Sequence, residues 1–183
     1  MQRVSNYDKD GACYAYGKGV EALLRSLFDA KGYETKSSTQ EEDKYLHADF
    51  FFKGKDERWY SIDVKGMKKL NRSDEARQDE WAVVEFVNTH GYEGWAVKGA
   101  HIIAFERESD FVLIKRTDLL AFCEERVDKS VRASSAGDAQ YICYSRPNRL
   151  DLIAMIKIED LPRDQIKTLE KFLNVFLEEG DPR

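Results

Sequence analysis

Two short apolar runs joined by a polar pentapeptide, "YLHADFFFKGKDERWYSIDVKG" at residues 45–66, constrain this chain more than any other stretch. Both runs alternate with period two and "GKDER" reads as a hairpin connection, so 46–53 and 58–65 are expected to be paired antiparallel strands. Each run carries an aspartate in its middle, Asp49 and Asp63, where a carboxylate usually weakens a strand. Alternation puts Ala48, Phe50 and Phe52 on the core face with Ile62 and Val64, and leaves Asp49, Asp63 and Lys65 together on a polar face. With the loop centred on Asp56, Lys53 opposes Trp59 and Asp49 falls opposite Asp63. Opposed Cβ atoms lie about 4.5–5.5 Å apart, and like charges there destabilise the pair. A divalent cation between the carboxylates would turn that repulsion into coordination, since Mg²⁺ takes hard oxygen ligands. Two carboxylates with an ammonium two residues beyond suit phosphate chemistry: charge stabilisation by the cation and by Lys65 at a reacting phosphate.

Around the hairpin, "GKGVEALLRSLFDAK" at 17–31 places Val20, Leu23, Leu24, Leu27 and Phe28 on one helical stripe ended by Gly32. A short strand is expected near 33–37, and the charged stretch 67–80 is either a short helix or an exposed loop. Residues 82–88, 101–106 and 111–115 are rich in β-branched and aromatic residues and read as strands. Thr117 is the expected N-cap of a helix over 118–127, with Leu119, Leu120, Cys123 and Val127 inward. A loop over 128–139, strands near 141–145 and 152–158, and a last helix over 162–179 complete the pattern. In that helix Pro162 stands at the start, Ile166, Leu169, Leu173, Phe176 and Leu177 form the stripe, and Gly180 stops it. The fold class expected is α/β or α+β: a mixed central sheet flanked by helices, as one domain over 1–183.

Composition excludes several function classes. The chain has 183 residues, 42% of them hydrophobic and 34% charged, which fits a globular domain with its own core. No apolar run approaches the roughly 20 residues of a membrane span, and "MQRVSNYDKDG" lacks a secretory core, so no membrane partner is expected. Cys13, Cys123 and Cys143 are odd in number and widely spaced, which fits reduced thiols in a cytoplasmic protein. A net charge of −5 argues against a histone-like polyanion binder but leaves room for local basic patches. One patch is "KGMKKLNR" at 65–72, with Lys65, Lys68, Lys69 and Arg72, and a looser one is "YSRPNR" at 144–149; either is also readable as solvated loop charge. Phosphate-loop, nucleophile-elbow and HExxH patterns are absent from the sequence.

A helix carrying Glu21, then Asp49, then "IDVKG" with Asp63 and Lys65, resembles the PD-(D/E)XK nuclease superfamily, with Ala48 in place of the motif's proline. The downstream "WAVVEFVNTHGYEGWAVKGAHIIAFE" is similar to phage-encoded or phage-like nucleases of that superfamily. The resemblance implies a restriction-endonuclease-like core over about 15–127 with an extension over about 140–180. It implies Mg²⁺ or Mn²⁺ as cofactor, held by Asp49, Asp63, the Val64 carbonyl and Glu21, with Lys65 as catalytic lysine. Glu21 reads equally as an i,i+4 partner of Arg25 on a solvated face. Glu85, which interrupts "AVVEFVN", is a further ligand or catalytic group, or else an ion-pair partner of Lys65. Lys68, Lys69 and Arg72 are the candidate nucleic-acid contacts; Asn88, Gln78 and His47 are weaker candidates for the site, and Trp81, Trp95 and Tyr92 are base-stacking residues or core anchors. The expected function is metal-dependent phosphodiester hydrolysis, with DNA the foremost partner and a homodimer for two-strand cutting. The alternatives are a nuclease-fold module that binds nucleic acid or protein without cutting, and a purely structural domain.

Overall fold

The structure is a computed structural model that describes residues 11–70 and 74–171. Its first helix, α1 (Ala12–Ala30), starts ahead of the expected 17 and buries Val20, Leu24, Leu27 and Phe28 on one stripe. Gly32, in the left-handed region at φ 81°, ends it. The Gly32 amide donates to Asp29 O at 2.9 Å and Tyr33 to Phe28 O at 3.1 Å, the two bonds of a Schellman motif. After β1 (Thr35–Ser37) comes an unexpected helix, α2 (Gln40–Leu46). Its capping box has Thr39 Oγ1 accepting from the Glu42 amide and Glu42 Oε2 accepting from the Thr39 amide. The helix takes Leu46 out of the expected strand, so β2 runs Phe50–Lys53 and pairs with β3 (Trp59–Lys65). The register is the expected one, with Lys53 opposite Trp59 and Phe50 opposite Ile62. Asp56 holds the turn by accepting from Tyr60 Oη at 2.6 Å and the Arg58 amide at 3.3 Å.

The remaining elements are β4 (Trp81–Val87), β5 (Ile102–Glu106), β6 (Asp110–Lys115), α3 (Arg116–Arg126), β7 (Asp128–Arg132), β8 (Ile142–Tyr144), β9 (Leu152–Lys157) and β10 (Ile166–Glu170). The fold is mixed α+β, but it has two mixed sheets rather than one central sheet. One has the order β1-β2-β3-β5-β6-β10 and the other β4-β9-β8-β7. On one face of the six-stranded sheet α1 packs Leu24 and Phe28 against Phe50, Ile62, Ala104 and Phe111. On the other face Ile103, Phe105, Val112 and Ile114 meet Val84, Phe86, Ala154 and Ile156 of the four-stranded sheet, with Leu119 and Phe122 of α3. One face is thus flanked by a helix and the other mainly by a second sheet.

Three local expectations are corrected. Lys115, not Thr117, is the N-cap of α3, without a side-chain cap; β6 runs straight into the helix, and the Thr117 hydroxyl donates to Asp118 instead. The expected loop 128–139 begins as β7, an exposed edge strand parallel to β8 that is held by backbone pairing and buries almost nothing. The segment 162–171 is not helical. Residues 166–170 form β10 along β6, with Leu169 buried opposite Phe111. A spacing of three between Ile166 and Leu169 is compatible with either structure, and the free edge of β6 decides. Leu173, Phe176, Leu177 and Gly180 lie outside the described residues, as does Arg72. The described residues of 67–80 take the loop alternative, with a bridge between Lys68 and Gln78.

Candidate functional site

At the open end of the hairpin β2 stops while β3 continues through Asp63, Val64 and Lys65. The Ile62 carbonyl accepts from the Asp49 amide at 2.8 Å, whereas the Ser61 amide faces the other way, toward His101 Nδ1. Alternation therefore turns both the amide and the carbonyl of Val64 toward the β2 edge. Asp49 departs from the expected placement in one respect. It precedes the strand, and its Oδ2 accepts from the Val64 amide at 2.7 Å, standing in for the backbone β2 no longer supplies. The carboxylate thus lies at the sheet edge beside the Val64 carbonyl.

Asp63 is buried, at 4% exposure, on the face turned toward the second sheet. Lys65 Nζ pairs with Asp63 Oδ2 at 2.7 Å, out of line for a hydrogen bond, and among the described residues no other donor reaches that buried oxygen. The same ammonium lies 4.5 Å over the ring of Trp95, a buried residue, so one side of the lysine is fixed by charge and the other by a π face. Trp95 is placed by the Gly94–Val97 turn, which docks on β4 through bonds from the Gly94 amide to Phe86 O (2.8 Å) and the Ala96 amide to Glu85 O (3.2 Å). Burial and the neighbouring Asp63 charge push the Asp49 carboxyl up to about 7, against the Val64 amide and Lys65, which pull it down.

The other candidates divide. Glu21 comes within electrostatic reach of Asp49, but its carboxylate pairs with Lys18 at 2.6 Å. The expected alternative partner, Arg25, bonds Thr35 and Ser37 instead. Glu85 is half-buried on β4, and burial raises its pKa while Lys65, Arg146 and His47 oppose the shift. Lys68 and Lys69 are open to solvent at the end of β3. Burial around the Lys68 ammonium and the nearby Lys65 push its pKa down, a push that water screens because the side chain itself is exposed.

His47 caps α2 at φ 49°. Gln78 clamps Trp81 through its side-chain amide, and Asn88 Oδ1 accepts from the His90 and Tyr92 amides, so both shape loops. Trp81 sits edge-on to Tyr141, and Tyr92 is exposed. Sequence reasoning missed a buried cluster beside the site. Glu106 accepts from Tyr16 Oη (2.5 Å), the Met67 amide (2.9 Å) and Lys171 Nζ (2.7 Å), which pins the chain just beyond Lys65. The acid at the end of "IIAFE" was its only sequence sign.

A divalent cation fits part of this arrangement. Among the described residues Asp63 Oδ2 has only the Lys65 ammonium beside it, Asp49 is protonated too easily for an ordinary carboxylate, and the Val64 carbonyl lies beside Asp49. One or two carboxylates with retained waters are a usual Mg²⁺ set. Among the described residues no three His, Cys, Asp or Glu side chains come together as a metal-holding group, and the Glu21 carboxylate is engaged by Lys18. No described helix is long and apolar enough to cross a membrane. No family model matches the chain, and neither a curated protein nor a solved structure matches it.

Proposed function

We propose that this protein is a metal-dependent nuclease of the PD-(D/E)XK type that hydrolyses phosphodiester bonds, DNA foremost. Its core on this reading is restriction-endonuclease-like: the six-stranded sheet with α1 behind the hairpin. The observation that carries the reading is the pair of acids: Asp63, buried with the Lys65 ammonium 2.7 Å away, beside a carboxyl at Asp49 whose pKa is raised by burial and by Asp63. Asp49, Asp63 and the Val64 carbonyl would hold Mg²⁺ or Mn²⁺, which when bound supplies charge at a phosphoryl oxygen and acidifies water. Lys65, fixed between Asp63 and Trp95, presents its ammonium where negative charge develops on the phosphate. Glu85 biases that ammonium from the second sheet, and Lys68 and Lys69 hold the neighbouring backbone.

Incubation with supercoiled plasmid and labelled oligonucleotides in Mg²⁺, Mn²⁺ or EDTA tests this. Wild type should cut with either metal and not in EDTA. Lys65→Ala should lower turnover by about 10²–10³-fold, the scale of losing one preorganised charge partner. Lys69→Ala should leave turnover at saturating substrate nearly unchanged. Equal behaviour of the two variants overturns the assignment of Lys65.

A second reading, a module on the same fold that binds nucleic acid without cutting, is favoured by one observation: the acid that would complete the metal shell, Glu21, is engaged by Lys18. Wild type that binds DNA and never cuts it with any divalent metal would make this the better reading.

A further inference from the structure

The loop between β8 and β9 carries a cation that the proposed chemistry leaves without a task. Arg146 donates from Nε to Asp151 Oδ2 at 2.5 Å, and its own backbone amide donates to Asp151 Oδ1 at 3.2 Å. Asp151 is fully buried, at 0% exposure, so it needs this partner. Arg146 does not need Asp151 in the same degree, since its side chain is 45% exposed. Structural pairs of arginine with a carboxylate frequently use the two-pronged face of the guanidinium. Here only Nε engages Asp151, and among the described residues the two η nitrogens make no hydrogen bond. The root of the side chain is fixed as well, because the Arg149 amide closes a turn onto Arg146 O at 3.0 Å with Asn148 at φ 58°.

The position is informative. β9 pairs with β4 so that Leu152 lies opposite Val87 and Ile153 opposite Glu85, which brings Asp151 and Arg146 to the Glu85 end of the second sheet. That end carries the Gly94–Val97 turn, and the turn carries Trp95, over which Lys65 lies. Arg146 therefore stands at the Glu85 end of the second sheet, the end that also carries Trp95 and so Lys65. Consistently, the charge of Arg146 is felt by both Glu85 and Lys68.

We infer that Arg146, held rigid by buried Asp151, is a phosphate-binding residue that grips the nucleic-acid backbone from the second sheet. The four N–H donors of its η nitrogens match the paired oxygens of a phosphodiester. The ordering that a flexible arginine would lose on binding is already built in. This deepens the nuclease reading and rests on its nucleic-acid half, not on cleavage.

Fluorescence anisotropy with labelled single-stranded and duplex oligonucleotides in EDTA measures binding apart from cutting. The double variant Arg146→Ala/Asp151→Asn leaves no buried charge unpaired. It should bind about tenfold more weakly in at least one of the two arms, with the slope of log K against log salt shallower by about 0.7–0.9, one phosphate contact. Arg146→Lys, which keeps the ion pair, should bind several-fold more weakly with the slope retained, because the two-pronged contact is lost. It is the informative variant if the double variant does not fold. Arg149→Ala should lose less than about threefold, as a mobile surface contact. The lower-affinity variants must melt as folded proteins. If wild type binds and both Arg146 variants bind equally well in both arms, the assignment is overturned and the nuclease reading stands. If wild type binds neither oligonucleotide, the grip and the nucleic-acid reading fall together.

Discussion

Strands β3 and β4 look alike in sequence, "SIDVK" and "VVEFV", each apolar with one acid at its centre, yet the acids have different fates. Asp63 is buried on the face between the two sheets, and Asp49, the residue just ahead of the partner strand, bears on it. Glu85 lies on the side of β4 away from the buried Val84 and Phe86, and its partner across the ladder is Ile153. The acid alone is therefore a weak signal. What makes Asp63 unusual is the second acid, and the second acid is delivered by a two-strand register that a five-residue loop fixes locally. Where pairing is set by a distant strand, as for β4 with β9, the same residue type is only a half-buried charge.

Cleavage is where the two acids should differ most. Asp63→Asn is expected to reduce metal-dependent turnover by about 10²–10³-fold, whereas Glu85→Gln, acting only on Lys65 through space, should cost about tenfold or less. Initial rates on one labelled substrate at saturating Mn²⁺ measure both. Equal losses would break the contrast and make Glu85 a direct participant.

Thermal stability should separate them next. A cation that binds only the folded chain stabilises it by about 2.7 kcal/mol at a hundred times its Kd, which raises the melting temperature of a domain this size by a few degrees. Wild type and Glu85→Gln should both show that rise with Mn²⁺, and Asp63→Asn should not. Without metal, Asp63→Asn should melt no lower than wild type, since removing one charge relieves the repulsion between the acids. A fall of several degrees in the apo variant would mean that the Lys65 contact stabilises more than the Asp49 contact costs.

Legibility follows the same local and distant division. The hairpin and its register were readable because period-two alternation and a short loop fix each other within 20 or so residues. The helix α2 left a readable sign, Thr39 three residues before Glu42, but the alternating run at 46–53 obscured it. The edge strands β7 and β10 had no such sign. Val131 is the apolar residue of β7 and is exposed, and Leu169 is the one buried residue of β10, so backbone pairing with distant strands, not side-chain pattern, places them. At the site, Asp49, Asp63 and Lys65 were legible from the hairpin alone. Trp95 beneath Lys65, Glu106 behind Met67 and Asp151 behind Arg146 were not, because each acts across elements whose pairing the sequence does not state.

The smallest expected effect concerns pH in the absence of metal. Asp49 titrates near 7 in the folded protein against about 3.9 for an aspartate in an unfolded chain, because burial and Asp63 disfavour its charge. A raised carboxyl pKa means that the folded state binds more protons than the unfolded state between those values. Its stabilising contribution is complete below about pH 4 and is lost as pH climbs toward 7. In EDTA, wild type should therefore lose melting temperature progressively between pH 5 and 7, beyond any change shared with its variants. Asp49→Asn should flatten that loss, since the amide carries no charge at either pH. Glu85 is also shifted upward by burial, so Glu85→Gln should flatten the curve in the same direction but by less, because Lys65 and Arg146 offset its burial. Melting curves of the three proteins at half-unit pH steps give the order. A Glu85→Gln curve as flat as that of Asp49→Asn would show that β4 carries as strained an acid as the hairpin, and the distinction between the two strands would go.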